Sequence, residues 1–121
     1  MKALVVDDSI AIRSMLTKYL SEIGITDVEH AGDGEQALAM TLKGSYGLIL
    51  LDWNMPKKSG IDVLKVVRAR GNKVPIILIT TNNEKQNVLE AIRAGVNDYV
   101  FKPFVKETLL PKIQRLLGIK S

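Results

Sequence analysis

The sequence predicts an α/β fold in which five parallel strands form one sheet with helices on both faces. Short apolar runs alternate with amphipathic stretches along the whole 121-residue chain. Three of these runs contain no polar residue, which is typical of strands buried on both faces of a sheet. No internal repeat, low-complexity segment or long linker interrupts the pattern, so we expect one domain over residues 1–121.

Each apolar run is a candidate strand. The candidates are Ala3–Val6, Val28–Ala31, Leu48–Leu51, Ile76–Ile79 and Asp98–Phe101. The first, third and fourth are apolar throughout and should be central, whereas the second and fifth are more polar and suit the edges. This matches the strand order 2-1-3-4-5 of doubly wound, flavodoxin-like (βα)5 sheets.

The segments between the strands have the periodicity of helices. Apolar residues recur at spacings of three and four from Ile12 to Ile23, and Gly24 ends the pattern. The later helices are expected to begin at Asp33, near Ser59 and after Asn82-Asn83, and the last two are expected to end at Gly95 and Gly118. Pro111 cannot donate a backbone hydrogen bond, so the bonded part of the last helix should begin at Glu107 or Thr108, or kink near Pro111.

The composition excludes several classes of protein. The chain has no cysteine, which rules out disulfides, thiolate catalysis and thiolate zinc sites. No apolar run approaches the length of a membrane span or a signal peptide, so we expect a cytoplasmic protein without a membrane partner. The net charge is +4, but the basic residues are dispersed and aromatic residues make up only 5% of the chain. That pattern favours solvated helix faces over a nucleic-acid surface.

The residues that carry chemistry follow the predicted strands. Asp7 and Asp8 follow the first strand, Asp52 the third, Thr80 and Thr81 the fourth, and Lys102 the fifth. Parallel strands have their carboxyl ends at one edge of the sheet, where open α/β sheets bind ligands. Three carboxylates, one lysine and a hydroxyl should therefore converge. Singly, an Asp-Asp pair or an aspartate after a strand is more often a helix cap or a turn, and the placement of the whole set carries the prediction.

Crowded carboxylates repel each other unless a cation or protons relieve the repulsion. One lysine cannot neutralise three carboxylates, and a site made of oxygen ligands suits a hard divalent cation such as Mg²⁺. A carboxylate can also act as a nucleophile and form an aspartyl phosphate, while a metal ion and a lysine neutralise the transferring group. The site is therefore typical of phosphoryl transfer.

Two other functions fit parts of this pattern. A flavodoxin-type electron carrier would share the fold, but Asp7 and Asp8 would repel a flavin phosphate after the first strand. A metal-dependent phosphatase with an aspartate nucleophile typically has its two aspartates two residues apart and carries a cap domain. Here the pair is adjacent and the chain has no residues left for a cap.

The residues resemble the receiver domains of two-component response regulators. Asp7-Asp8-Ser9, Leu51-Asp52, Met55-Pro56, Gly60, Thr80, Ala94-Gly95, Tyr99 and Lys102-Pro103-Phe104 lie where that family has its motifs. The resemblance covers essentially the whole chain. The stretches Asp52–Pro56 and Tyr99–Phe104 are most similar to the single-domain chemotaxis (CheY) type. A receiver that belongs to a longer regulator, or to a phosphorelay outside chemotaxis, is the alternative.

The resemblance implies a phosphoacceptor and a metal site. Asp52 would accept the phosphoryl group. Asp8 and Asp52 would bind Mg²⁺ directly, Asp7 would act through a bound water, and the backbone carbonyl of Asn54 would be a further ligand. Family members take phosphate from a histidine kinase or from acetyl phosphate, and they assist their own dephosphorylation without being enzymes in the ordinary sense.

The resemblance also implies an output. Lys102 would pair with the phosphoryl group and with Asp52, and Thr80 and Tyr99 would form a switch that reports phosphorylation to the surface. The downstream partner would be a protein, with a flagellar motor switch protein as the expected example, and the chain would be a monomer. The family further predicts a cis Lys102-Pro103 bond, and Thr81 stands where a small residue beside the site is usual.

Overall fold

The computed structural model describes residues 1–81 and 84–119, and its five strands form one parallel sheet in the order β2-β1-β3-β4-β5. The strands are β1 (Lys2–Val6), β2 (Asp27–Ala31), β3 (Leu48–Asp52), β4 (Ile76–Thr80) and β5 (Asp98–Phe101). The helices are α1 (Ile10–Glu22), α2 (Gly34–Lys43), α3 (Gly60–Ala69), α4 (Lys85–Arg93) and α5 (Lys106–Leu117). The predicted fold class, strand order and edge strands are confirmed. None of the helices in the described ranges is long and apolar enough to cross a bilayer.

Polar side chains begin the first three helices. Ser9, Asp33 and Ser59 each accept a hydrogen bond from the backbone N–H three residues later. Such caps satisfy one of the N–H groups that a helix cannot pair internally. The starts predicted at Asp33 and near Ser59 are confirmed. The predicted start after Asn82-Asn83 lies outside the described residues, and α4 is described from Lys85.

The sheet separates two apolar layers. On one face, alternate strand residues such as Leu4, Ile49 and Leu78 pack with Leu64 of α3 and Ala91 of α4. On the other face, residues such as Val5, Leu50 and Ile77 pack with α1 and α5 through Leu16, Leu20, Leu109 and Ile113. The three central strands are buried throughout apart from Lys2, as their apolar sequences indicate. Both layers hold the carboxyl ends of these strands in fixed register.

The start predicted for the last helix is wrong by one or two residues. α5 begins at Lys106, the N–H of Leu109 already bonds the carbonyl of Val105 at 3.2 Å, and the helix continues through Pro111. Proline removes the hydrogen bond that position 111 would donate to Glu107. The apolar face of α5 is nevertheless fully buried at Leu109 and Ile113. Tertiary packing of this kind is the main source of helix stability in proteins.

Arg68 joins three segments at the edge of the sheet opposite the carboxyl ends. Its guanidinium donates hydrogen bonds of 2.8–3.0 Å to the carbonyls of Gly95, Asn72 and Val74 and to Oδ1 of Asn97. Oδ1 of Asn97 also accepts the N–H of Ile76 at 2.8 Å, where β4 begins. One side chain therefore ties the loops before β4 and before β5 to the end of α3.

Candidate functional site

The sheet itself positions the candidate residues. Asp7 directly follows β1, Asp52 and Thr80 are the last residues of β3 and β4, and Lys102 directly follows β5. Backbone hydrogen bonds run past the strand ends, because the N–H of Asp7 bonds Ala31 at 3.2 Å and the N–H of Lys102 bonds Thr80 at 2.8 Å. The side chains at this edge are thus carried on backbone that the sheet holds in place.

Three carboxylates meet at this edge. One oxygen from each of Asp7, Asp8 and Asp52 lies within 4.8 Å of the others. Asp7 and Asp52 are buried, with 1% and 4% of their surface exposed, whereas Asp8 is exposed. The sheet topology brings together the carboxylates that the sequence placed after two separate strands. Two of them lie in the interior and the third faces solvent.

Lys102 is shared between the two buried carboxylates. Its Nζ atom lies 3.0 Å from Oδ2 of Asp7 and 3.3 Å from Oδ1 of Asp52. The contact with Asp52 was expected from the sequence, but the shorter one with Asp7 was not. Asp7 is also fixed from within its own loop, because its Oδ1 accepts the N–H of Ser9 at 2.9 Å.

The charges at the site are unbalanced. Burial raises the pKa of Asp52 and the nearby charge of Asp7 raises it further, whereas Lys102 and the N–H of Asn54 oppose this effect. Burial lowers the pKa of Lys102, but the hydrogen bond and charge of Asp7 and the charge of Asp52 outweigh it, so this pKa is raised overall. Three carboxylates and one ammonium group leave a surplus of negative charge, which a bound cation would relieve.

The donor set fits a hard divalent cation. All three side chains offer carboxylate oxygens, and the exposed position of Asp8 leaves the cluster open to solvent, as an ion that keeps several of its waters requires. Asn54, two residues after Asp52, has an exposed side chain, and its backbone N–H donates to the Asp52 carboxylate. The acidic cluster could therefore hold a metal ion.

The backbone beneath Asp52 is closely packed. A Cβ atom on Gly60 would lie 2.2 Å from the carbonyl oxygen of Asp52, so no other residue fits there without a shift of the backbone. The N–H of Gly60 also bonds the carbonyl of Trp53 at 2.8 Å. Trp53, which directly follows Asp52, is buried in the layer beneath α3 and α4.

The two residues predicted to form a switch lie close together. A cavity of about 10 Å³ lies beneath α4, and its lining consists of Trp53, Leu78, Thr80, Val88, Ala91 and Tyr99. Thr80 is buried, and the partly buried ring of Tyr99 lies 5.4 Å from the exposed ring of Phe101. Thr80 and Tyr99 thus line the same small space beneath α4.

A larger apolar cavity opens beside Lys102. It has a volume of about 290 Å³, and its lining consists of Ile12, Met15, Thr81, Lys102, Pro103 and Phe104. The Lys102-Pro103 bond is cis, which confirms the prediction. Thr81 is exposed and forms part of this wall, so it lies beside the site as the sequence indicated.

Comparison with known proteins agrees with this geometry. Residues 3–114 match the family described as the response regulator receiver domain. The chain is 39% identical to the chemotaxis protein CheY of Pseudomonas aeruginosa, over 96% of this chain and 95% of that protein. It is 41% identical to the chemotaxis protein CheY1 of Helicobacter pylori, over 98% of both chains. The solved structure of Vibrio cholerae CheY4 superposes with a TM-score of 0.87 at 40% identity, covering 96% of this chain and 98% of that one.

The fold, the acidic edge of the sheet and these similarities define the class. The chain belongs to the response regulator receiver domain family and has a CheY-like receiver fold.

Proposed function

We propose that the chain is a phosphorylation switch of a two-component system, in which Asp52 accepts a phosphoryl group from a histidine kinase with the help of Mg²⁺. One observation carries the proposal: the buried Asp52 carboxylate lies beside two further carboxylates and one lysine at the carboxyl end of a parallel sheet. Asp8 and Asp52 would bind the ion directly, Asp7 would act through a water, and the carbonyl of Asn54 would complete the protein ligands.

The residues have distinct tasks in this chemistry. An oxygen of Asp52 attacks phosphorus, a new oxygen–phosphorus bond forms, and the bond between phosphorus and the donor breaks with its electron pair on the leaving group. Mg²⁺ held by these carboxylates would neutralise charge on the phosphoryl oxygens. Lys102, now shared by Asp7 and Asp52, can pair with a phosphoryl oxygen without leaving the site. The chain thereby assists its own phosphorylation and dephosphorylation.

Intact-mass analysis after incubation with acetyl phosphate tests the proposal. The wild type should gain one phosphoryl group in Mg²⁺ and none in excess chelator. Asp52→Asn should gain none, because the nucleophile is gone. Asp62→Asn is the matched control, because Asp62 is exposed on α3. This variant should gain one phosphoryl group, as the wild type does. An equal adduct on Asp52→Asn would overturn the assignment of Asp52.

The output of the switch belongs to the same proposal. Phosphorylation would draw the Thr80 hydroxyl toward a phosphate oxygen through a charge-assisted hydrogen bond, and Tyr99 would turn into the space beside α4. The surface formed by α4, β5 and α5 would then change shape. Leu89, Ile92 and Phe101 are exposed on two of these elements and offer apolar contacts to a protein partner. The chemotaxis names of the relatives support a flagellar motor switch protein as that partner.

The relay can be tested separately from the chemistry. Affinity for the partner should rise on addition of a phosphoryl mimic in the wild type, and the rise should be smaller in Thr80→Ala and Tyr99→Ala. A switch acts only to the extent that the partner distinguishes the two states. Equal gains in all three proteins would show that the Thr80–Tyr99 relay is not the route of the signal.

A further inference from the structure

The side chain of Arg13 lies behind the acidic cluster. Arg13 is in the first turn of α1, and its Nη1 atom donates a hydrogen bond to the backbone carbonyl of Asp7. That carbonyl belongs to the peptide bond that joins Asp7 to Asp8. The Nε atom of Arg13 is buried and has no hydrogen-bond partner among residues 1–81 and 84–119. Within the described chain, the Asp7 carbonyl is therefore the acceptor that this side chain uses.

The two aspartates differ in how they are held. Asp7 has its N–H bonded to Ala31, its Oδ1 bonded to the N–H of Ser9 and its Oδ2 bonded to Lys102. Within the described ranges, no side chain or backbone group forms a hydrogen bond or ion pair with the Asp8 carboxylate. The position of Asp8 is consequently set by the backbone that carries it, and Arg13 fixes the peptide plane at the start of that residue.

Space for the guanidinium is provided by the neighbouring turn. A Cβ atom on Gly32 would lie 3.4 Å from Nη1 of Arg13, so the guanidinium lies directly against the backbone after β2. The N–H of Gly32 is bonded to the side chain of Gln36 at 2.8 Å, which keeps this turn in place. The guanidinium thus lies between the turn after β2 and the loop after β1.

We propose that Arg13 is a positioning residue for the metal site, which holds the Asp7–Asp8 peptide so that the Asp8 carboxylate faces the ion. This inference rests on the proposed function, since it concerns the Mg²⁺ site described there. Outer groups that orient metal ligands commonly change metal affinity by about 10–100-fold when they are removed.

Positioning and simple charge effects predict opposite results. The positive charge of Arg13 repels a cation, so its removal by electrostatics alone would strengthen Mg²⁺ binding. If Arg13 positions Asp8, its removal would weaken binding, because the ligand loses its fixed orientation. The sign of the change therefore separates the two effects.

The experiment compares Arg13→Met with Lys18→Met. Lys18 lies on the same helix, is exposed, and loses the same charge. Mg²⁺ dissociation constants are measured by titration calorimetry and by Trp53 fluorescence at a temperature where denaturation curves in chelator show all proteins folded. We expect the constant to rise about tenfold or more in Arg13→Met and to stay within twofold of the wild type in Lys18→Met.

Two contrary results have different meanings. Normal binding by the wild type together with equal or tighter binding by Arg13→Met would overturn the role of Arg13 and leave the proposed metal site intact. Failure of the wild type to bind Mg²⁺ would overturn the metal site and the positioning role together. A calcium-free buffer of constant ionic strength keeps nonspecific screening the same in every titration.

Discussion

Lys102 Nζ lies 3.0 Å from Oδ2 of Asp7, although the two residues are 95 positions apart in the sequence. The same amine lies 3.3 Å from Asp52, so one positive charge serves two buried carboxylates. Among the described residues, Lys102 is the cation that pairs with both, so neither carboxylate has a cation to itself. The ionised form of Asp52 is therefore held in the fold at a cost in stability, which leads to the first prediction.

Asp52→Asn should be more stable than the wild type at pH 7 in chelator, by about 1 kcal/mol, because it removes a buried charge that repels Asp7. The pKa of Asp52 is raised in the folded state, so the folded wild type binds a proton more tightly than the unfolded chain. Its stability accordingly falls as pH rises from the usual aspartate pKa of 3.8 through the raised value. The advantage of Asp52→Asn should shrink as pH decreases through that window.

Urea denaturation of both proteins across this pH range is the measurement. Asp62→Asn is again the control, because Asp62 is exposed and its neutralisation should change the free energy of unfolding little. Lower stability of Asp52→Asn at pH 7 would contradict the electrostatic account.

Mg²⁺ should stabilise the wild type, because the unfolded chain lacks the assembled carboxylates. At one hundred times the dissociation constant, the free energy of unfolding should increase by about 2.7 kcal/mol. Asp8→Asn should lose most of this stabilisation by Mg²⁺. Its stability in chelator should stay that of the wild type, because Asp8 is exposed and its carboxylate forms no hydrogen bond or ion pair with the described residues. Thermal denaturation and Trp53 fluorescence measure the effect, with sodium chloride at equal ionic strength as the control. No response by either method would refute the site.

Arg68→Met should destabilise the protein by about 2 kcal/mol or more, because the carbonyls of Gly95, Asn72 and Val74 lose a donor and Asn97 loses one of its two where the loops before β4 and β5 meet. Arg70→Met is a suitable control, since Arg70 is exposed two residues further along. Urea denaturation should show a lower midpoint for Arg68→Met with an unchanged slope. Equal midpoints for the two variants would mean that the Arg68 contacts add little net stability.

Tyr46 should ionise at unusually high pH. Burial raises the pKa of its phenol to about 12, and the hydrogen bond that it donates to Glu29 at 2.6 Å contributes to the increase. Because the pKa is higher in the folded state, the protonated phenol stabilises the fold. This contribution is fully present below pH 10 and is lost as the pH rises toward about 12. The absorbance difference between the wild type and Tyr46→Phe should therefore develop little below pH 11. If the absorbance difference instead had its titration midpoint near pH 10, the raised pKa of Tyr46 would be contradicted.

Much of the fold could be predicted because it depends on patterns local in sequence. Unbroken apolar runs such as Leu48–Leu51 identify buried strands, and Asp33 and Ser59 are residue types that begin helices. The edge position of the site follows from parallel topology alone. Local patterns were insufficient at Pro111, because burial of Leu109 and Ile113 against the sheet outweighs the preference of proline.

The contacts that refine the site could not be predicted. Lys102 was expected to pair with Asp52, but its bond to Asp7 depends on the exact reach of a side chain across the sheet. Arg13 and Arg68 look like ordinary charged residues of amphipathic helices. Their acceptors are backbone carbonyls, which every residue has, so no sequence pattern identifies them. Trp53 follows a strand as many loop residues do, and its burial depends on where α3 and α4 pack.

The small size of the cavity between Thr80 and Tyr99 limits how the molecule can respond. About 10 Å³ holds at most one water molecule, whereas a phenol ring needs many times that space. Filling this space with the Tyr99 ring would require Val88 and Ala91 on α4, which line it, to shift. The receiver should consequently exist in two discrete forms, each molecule being in one or the other. A graded signal in the cell would then reflect the fraction of molecules in each form.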